Sequence, residues 1–220
     1  SSITASGTLP NPDFEITASI KKGVISFLKY TLNAKISGKE GKTVLQDLNI
    51  SSDKAVLNGS GLIGRNKNNI KNNFKNITEE ILNKYLNTTT PVSGTFYGNG
   101  TIYGKISDLK SYINLFSDTV YVKSAKFNSL NSQILIDKKS VVVKQAAVKT
   151  SDTEVKVLSG TFDIQSGAFS STLNIVNLHL GPFDIFGNIK IDGIKNNYSY
   201  KGNIELDNVW LNRAKINTLQ

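Results

Sequence analysis

Residues 161–211 read TFDIQSGAFSSTLNIVNLHLGPFDIFGNIKIDGIKNNYSYKGNIELDNVWL, and apolar residues recur at every second position through most of this stretch. Phe162 and Ile164 alternate with polar residues, and so do Leu173 and Ile175. Successive side chains of a β-strand point to opposite faces of a sheet. The alternation therefore predicts strands with one apolar face and one polar face.

Glycine and asparagine separate the alternating runs. Gly187-Asn188, Gly193 and Gly202-Asn203 are three of these breaks. Both residue types adopt positive φ at little cost, so we interpret the breaks as turns or bulges between strands of about five to eight residues. Strands joined by such short breaks form an antiparallel meander.

One segment departs from alternation. Its apolar residues are spaced by three and four, as on one face of a helix; they are Ile70, Phe74, Ile77, Ile81, Leu82 and Tyr85. Thr78 is a candidate N-cap, because the two glutamates after it suit a helix N-terminus. The sequence therefore predicts one short helix within residues 66–86, with its most regular part at residues 78–86.

Residues 108–116 fit either a helix or an imperfect strand, and we favour the strand. No stretch of low complexity divides the chain. Residues 1–220 are therefore treated as a single section, all-β apart from the short helix.

The composition excludes several classes of protein. The 220 residues contain no cysteine, which excludes disulfides, thiolate metal sites and cysteine nucleophiles. The net charge is +9, but every basic residue except Arg65 and Arg213 is a lysine. Nucleic-acid-binding surfaces more often use arginine, so we interpret the charge as a soluble basic surface that is compatible with anionic lipid headgroups. Methionine is also absent, and we expect a piece of a longer protein whose anchor or export signal lies elsewhere.

A sheet of such alternating strands has one apolar face, which must be shielded from water. A second layer, closure into a barrel, or curling around an apolar ligand would each cover it. From the residues alone, a closed core is the commoner solution, although the frequent glycines would also permit a curled sheet. The residues that would fill such a core or line an open groove are Phe162, Ile164, Leu173, Ile175, Phe183, Ile185, Ile189, Ile191, Ile204 and Leu206.

Three segments resemble recurrent units of the AsmA/TamB superfamily of Gram-negative envelope proteins. Residues 7–12, GTLPNP, resemble a step between strands in that family. Residues 44–62 contain VLQDLNI followed by LNGSGL, which resembles a second unit. Residues 77–100 resemble a third unit, a short helix ahead of glycine-spaced strands. The resemblance covers nearly the whole chain and is one of sequence style, with no single diagnostic residue.

The resemblance implies a fold and a role. Family members form a long antiparallel sheet that curls lengthwise into an open trough, which reverses the preference for a closed core. The chain would then be an internal section of a longer repetitive β domain in the periplasm, within a protein anchored in the inner membrane. The implied ligands are phospholipid acyl chains moving between the inner and outer membranes. The implied partner of the full-length protein is a BamA/TamA-like outer-membrane barrel, with a link to outer-membrane protein assembly.

A structural or adhesive protein is the alternative. It would be a β-solenoid or an autotransporter passenger segment with a closed dry core. The two hypotheses differ in whether the apolar side of the sheet is open to a ligand.

No group of residues predicts catalysis. The single histidine, His179, alternates with Leu178 and Leu180, as on the polar face of a strand, and no second histidine or cysteine could share a metal with it. The glycines of residues 94–104 match neither the dinucleotide-binding nor the Walker spacing. We therefore predict no enzymatic activity, no metal, no cofactor and no nucleic-acid partner.

Overall fold

The computed structural model describes residues 2–6, 13–25, 28–53, 55–78, 92–122, 125–180, 182–195, 200–212 and 214–216. Within these ranges the chain forms strands and no helix. The strands are β1 (Ser2–Ser6), β2 (Asp13–Ile25), β3 (Leu28–Lys39), β4 (Lys42–Ser52), β5 (Val56–Ile63), β6 (Asn68–Thr78), β7 (Val92–Lys105), β8 (Asp108–Ser117), β9 (Val120–Val122), β10 (Ala125–Phe127), β11 (Ser129–Ile136), β12 (Ser140–Lys149), β13 (Glu154–Asp163), β14 (Ala168–Leu180), β15 (Phe183–Lys195), β16 (Tyr200–Leu211) and β17 (Ala214–Ile216). The described ranges contain no helix with the length and apolar character needed to cross a membrane.

The strands form a long antiparallel sheet that is not closed. From β1 to β7 each strand pairs with the next. The same holds from β11 to β17, while the short strand β9 pairs with β7 and β10. The predicted all-β fold with a long open antiparallel sheet is confirmed, and so is the strand at residues 108–116.

The chain divides into two compact units. Unit 1 contains residues 1–89 and 95–112, and unit 2 contains residues 90–94 and 113–220. In each unit, the described strands make their main contacts with the strands to which they are hydrogen-bonded. Close backbone contacts within each unit therefore follow the hydrogen-bonded ladder.

Strand β6 corrects the predicted helix. Residues 68–78 form this strand, so the helix predicted within residues 66–86 is wrong over that part. Thr78 is the last residue of the strand. Residues 79–86 lie outside the described residues, as do residues 7–12 of the family-like opening segment.

A β-bulge explains the misleading spacing in β6. Ile70 and Phe74 are four residues apart, a separation that also places two side chains on one face of a strand. Asn76, with a φ of 56°, then adds one residue to the ladder, because Phe74 pairs with Gly98 whereas Ile77 pairs with Phe96. The extra residue returns Ile77 to the face of Phe74. A spacing of four and then three is therefore compatible with a bulged strand.

The strands of unit 2 are longer than predicted. Gly187-Asn188 and Gly193 lie inside β15, which has 13 residues, and Gly202-Asn203 lies inside β16, which has 12. The interpretation of these residues as turns between short strands is wrong, whereas the register shift between Phe186 and Asn188 does place Gly187 at a bulge of the ladder. Gly193 and Gly202 face each other in the ladder, and a Cβ on either would collide with the backbone of the opposite strand. They mark a close approach of two strands.

Candidate functional site

The cross-strand register of unit 2 gathers apolar side chains into rows. Residues that pair across a ladder lie on the same face of a sheet. One row crosses five strands from β12 to β16, and its members are Ala146, Val157, Leu173, Ile189 and Leu206. The row belongs to one face of unit 2, called the apolar face below.

Two parallel rows extend the apolar face of unit 2. The first runs from β11 to β16 and consists of Ile134, Val143, Gly160, Ser171, Ile191 and Ile204. The second crosses the same strands and consists of Ile136, Val141, Phe162, Phe169, Gly193 and Gly202. The small residues lie among large ones, so the face carries depressions beside its apolar ridges.

The predicted groove residues come together on the apolar face. Nine of the ten lie in strands on that face, because the pairings place Phe162, Leu173, Ile175, Phe183, Ile185, Ile189, Ile191, Ile204 and Leu206 there. The tenth, Ile164, follows β13, where its backbone N–H donates to the carbonyl oxygen of Lys139 over 2.7 Å. Alternation in the sequence therefore identified residues that share one face.

The apolar face is only partly buried. Ile175 and Val209 are 6% and 2% exposed, but Ile204 is 59% exposed and Phe183 is 46% exposed. Most other side chains on the face are half-buried. A packed core would bury residues of this size almost completely. The face therefore leaves apolar surface available for contact.

Bulges keep the rows aligned on the apolar face. In β16, Asn208 has a φ of 53° and adds one residue between Leu206 and Val209. Val209 thereby stays on the apolar face. The bulge in β13 leaves Leu158, 51% exposed, outside the rows.

The opposite face of unit 2, called the polar face below, is mostly polar. Lys190 pairs with Glu205 at 3.3 Å, and Asn174 donates to Asn188 over 2.9 Å. An exception is Phe186, which stacks on Trp210 with ring centroids 6.0 Å apart. Exposed ion pairs of this kind contribute at most about 1 kcal/mol each, so the polar face serves solvation more than stability.

Unit 1 has an apolar face of its own. One row crosses β2 to β7 and consists of Ile16, Ile36, Leu45, Gly61, Ile70 and Ile102. On the same face the ring of Phe14 covers Gly38, and the ring of Tyr30 covers Gly23. The alternation of residues 14–20 is the same sequence signal that identified the strands of unit 2.

Among the described residues, Glu154 and Asp163 are carboxyl groups with a shifted pKa, and both are on polar features. The hydrogen bond from Lys149 lowers the pKa of Glu154, and Lys156 adds to the effect. Hydrogen bonds from the backbone and hydroxyl of Ser166 lower the pKa of Asp163. Both shifts favour the ionised form, which suits surface and turn residues rather than a general acid.

No metal-binding cluster was found among the described residues. His179 lies in β14, where it pairs with Asp184 of β15. The strand predicted around the histidine is present.

Comparison of the chain with known proteins found no relative. No protein-family model, no curated protein and no solved structure matches the chain.

Proposed function

We propose that the sheet is an acyl-chain-carrying section of an envelope protein. Its apolar face shields the hydrocarbon of phospholipids while the polar face remains in water. The observation that carries this proposal is the partly buried set of aligned apolar rows in unit 2, on a sheet that is not closed.

The dimensions of a row suit an acyl chain. The row from Ala146 to Leu206 makes four steps between strands. At about 4.8 Å a step, the row is roughly 19 Å long. The acyl chains of one leaflet occupy about half of a hydrocarbon core roughly 30 Å thick. A single row is therefore long enough to lie along the whole of such a chain.

The energetic benefit is large. Each methylene exposed to water costs about 0.8 kcal/mol, so a chain of about sixteen carbons would face on the order of 12 kcal/mol on leaving a membrane unaided. Contact along an apolar row removes part of that cost, and continuous rows would let the chain move between strands. The headgroup can stay in water beside the open sheet.

The wider role follows from the resemblance to AsmA/TamB proteins. We propose that the chain acts in the periplasm, in a protein anchored in the inner membrane. It would carry phospholipid between the inner and outer membranes. Through the full-length protein it would work with a BamA/TamA-like barrel and assist outer-membrane protein assembly.

The structural or adhesive alternative requires a closed dry core. The open sheet and the exposed Ile204 favour the lipid-carrying function.

Replacing Ile204 by aspartate tests the proposal. A fully buried isoleucine contributes about 1.5–3 kcal/mol, so Ile204→Asp should lower the transfer of a fluorescent phospholipid from vesicles to the protein by about ten- to a hundredfold. Its melting temperature should fall little, because the new carboxylate reaches water at this exposed position. Val209→Asp, at a buried position of the same face, should unfold the sheet instead.

Thr172→Asp is the matched control. Thr172 pairs with Lys190 on the polar face, so the same new charge should leave lipid transfer unchanged. Equal lipid transfer by the wild type and Ile204→Asp would refute an acyl-chain path on this face. So would the unfolding of Ile204→Asp to the same extent as Val209→Asp.

A further inference from the structure

The hairpin of β2 and β3 in unit 1 carries a group of lysines. Ile20 pairs with Leu32 and Gly23 pairs with Tyr30, so Lys21 and Lys22 together oppose the single residue Thr31. This is a β-bulge, in which two residues of one strand face one residue of the other. The bulge brings two exposed lysines to the same place on the sheet.

A third lysine and two hydroxyl groups complete the group. Lys29, Thr31 and Ser51 line a groove of ≈ 490 Å³ together with Lys21 and Lys22. The hydroxyls of Thr31 and Ser51 are hydrogen-bonded at 2.6 Å, which fixes them at one side of the groove. Ammonium and hydroxyl groups in one depression are donors suited to a phosphate group.

The ammonium groups of the three lysines are available to bind an anionic group. None of the three forms an ion pair within the described part of the chain, whereas Lys35 on the neighbouring strand pairs with Glu15 at 3.1 Å. Asp53 is the one carboxylate among the described residues that line the groove. The groove therefore keeps an excess of positive charge.

An exposed apolar residue lies directly beside the lysines. Val24 lines the same groove and is 66% exposed. Lysines that share a groove with an exposed aliphatic side chain match a membrane interface, where phosphates lie above hydrocarbon. A free phosphate ion would gain nothing from the valine.

We propose that the Lys21–Lys22–Lys29 groove docks unit 1 on a bilayer surface that contains anionic phospholipids. The lysines contact headgroup phosphates, and Val24 enters the boundary of the hydrocarbon. The proposal concerns a hairpin of unit 1 and not the apolar rows of unit 2, so the two proposals can fail independently.

Vesicle binding by the 220-residue chain tests the proposal. The triple variant Lys21→Gln/Lys22→Gln/Lys29→Gln should bind vesicles of phosphatidylcholine with about 30% phosphatidylglycerol roughly a hundredfold more weakly, because each lysine near an anionic surface contributes about fivefold. The control Lys126→Gln/Lys138→Gln/Lys144→Gln removes the same charge from exposed positions of unit 2 and should change binding less than about fivefold. Val24→Ser should weaken binding severalfold with the same salt dependence.

Four results would overturn the proposal. Equal losses in the two triple variants would show that overall charge alone binds the membrane. Unchanged binding by the groove variant would show that the groove does not bind the membrane. Equally strong wild-type binding to pure phosphatidylcholine vesicles would show that the groove does not recognise anionic lipid. Release from vesicles by sodium phosphate, but not by sodium chloride of the same ionic strength, would make the groove a site for free phosphate. Lipid transfer by the Ile204 variant remains a separate measurement of the acyl-chain proposal.

Discussion

Asp163 shows how a single residue ends a strand and begins a turn. Its carboxylate accepts hydrogen bonds from the backbone N–H groups of Gln165 and Ser166 at 3.0 and 2.7 Å, and from the Ser166 hydroxyl at 2.8 Å. Asp137 accepts equivalent bonds from Lys139 and Ser140 at the turn between β11 and β12. An aspartate followed three residues later by serine therefore closes two hairpins of unit 2 in the same way.

The lowered pKa of Asp163 predicts how stability depends on pH. A carboxyl whose pKa is lower in the folded state stabilises the fold above the usual aspartate value of about 3.9, and this contribution disappears as the pH falls through the lower, folded-state value. Asp163→Asn should therefore lower the free energy of unfolding at pH 7, and the difference from the wild type should vanish in strong acid. Urea titrations at pH 7, 5, 4 and 3 would measure it.

Ser166→Ala is the companion variant at this turn. It removes the hydroxyl donor and keeps the backbone N–H. The pH-dependent part of its free energy of unfolding should therefore be smaller than that of the wild type but not absent. A difference between the wild type and Asp163→Asn that stays constant down to acid pH would show that the hydrogen bonds do not depend on the charge.

At the scale of the element, the bulge in β6 decides which side chains reach the apolar face of unit 1. Without Asn76, Ile77 would point to the opposite face from Phe74. The residue adopts a positive φ, which asparagine tolerates better than most residues with a side chain. Its identity therefore fits the conformation that the ladder requires.

Substitutions at Asn76 should follow backbone preference. Asn76→Val should cost about 1–3 kcal/mol, because a β-branched residue is strained at positive φ. Asn76→Gly should be nearly neutral. Asn73→Val, on the exposed face of the same strand, is the matched control and should change stability by less than about 0.5 kcal/mol. Urea denaturation measures all three, and equal effects of the two valine variants would contradict the bulge.

At the scale of the whole molecule, stability is distributed along the sheet. In the described parts of both units, the close backbone contacts of each strand are mainly with the strands beside it. Such a quasi-one-dimensional arrangement has a stability that is roughly a sum of nearest-neighbour terms. Central strands are held on both sides and edge strands on one.

Hydrogen exchange should reveal this gradient. In unit 2, the pairing of β16 with β17 covers residues 209–211 within the described part of the chain, so the amides of β17 and of the earlier part of β16 should exchange first. The amides of β14 and β15, which are paired on both sides, should be protected longest. Mass spectrometry of peptides along the chain would measure the order. A single common protection for all strands would instead indicate one cooperative core.

Much of the fold could be predicted from the sequence, because alternation is a local property. The pleat sends successive side chains to opposite faces, whatever the strand pairs with. The runs containing Leu173, Ile189 and Ile204 therefore identified both the strands and the residues that share a face. The same property predicted the strand at residues 108–116, despite its imperfect pattern.

The register, the bulges and the openness of the sheet were decided only by the tertiary structure. Whether Gly193 ends a strand or lies inside one depends on Gly202, which opposes it across the ladder. Whether Ile77 belongs to a helix or to a bulged strand depends on its pairing with Phe96, nineteen residues away. These choices rest on hydrogen bonds to partners distant in sequence, and the exposure of Ile204 likewise depends on what the neighbouring strands cover. The sequence by itself determined which apolar residues share a face of the sheet, and the pairing of strands determined that this face stays open.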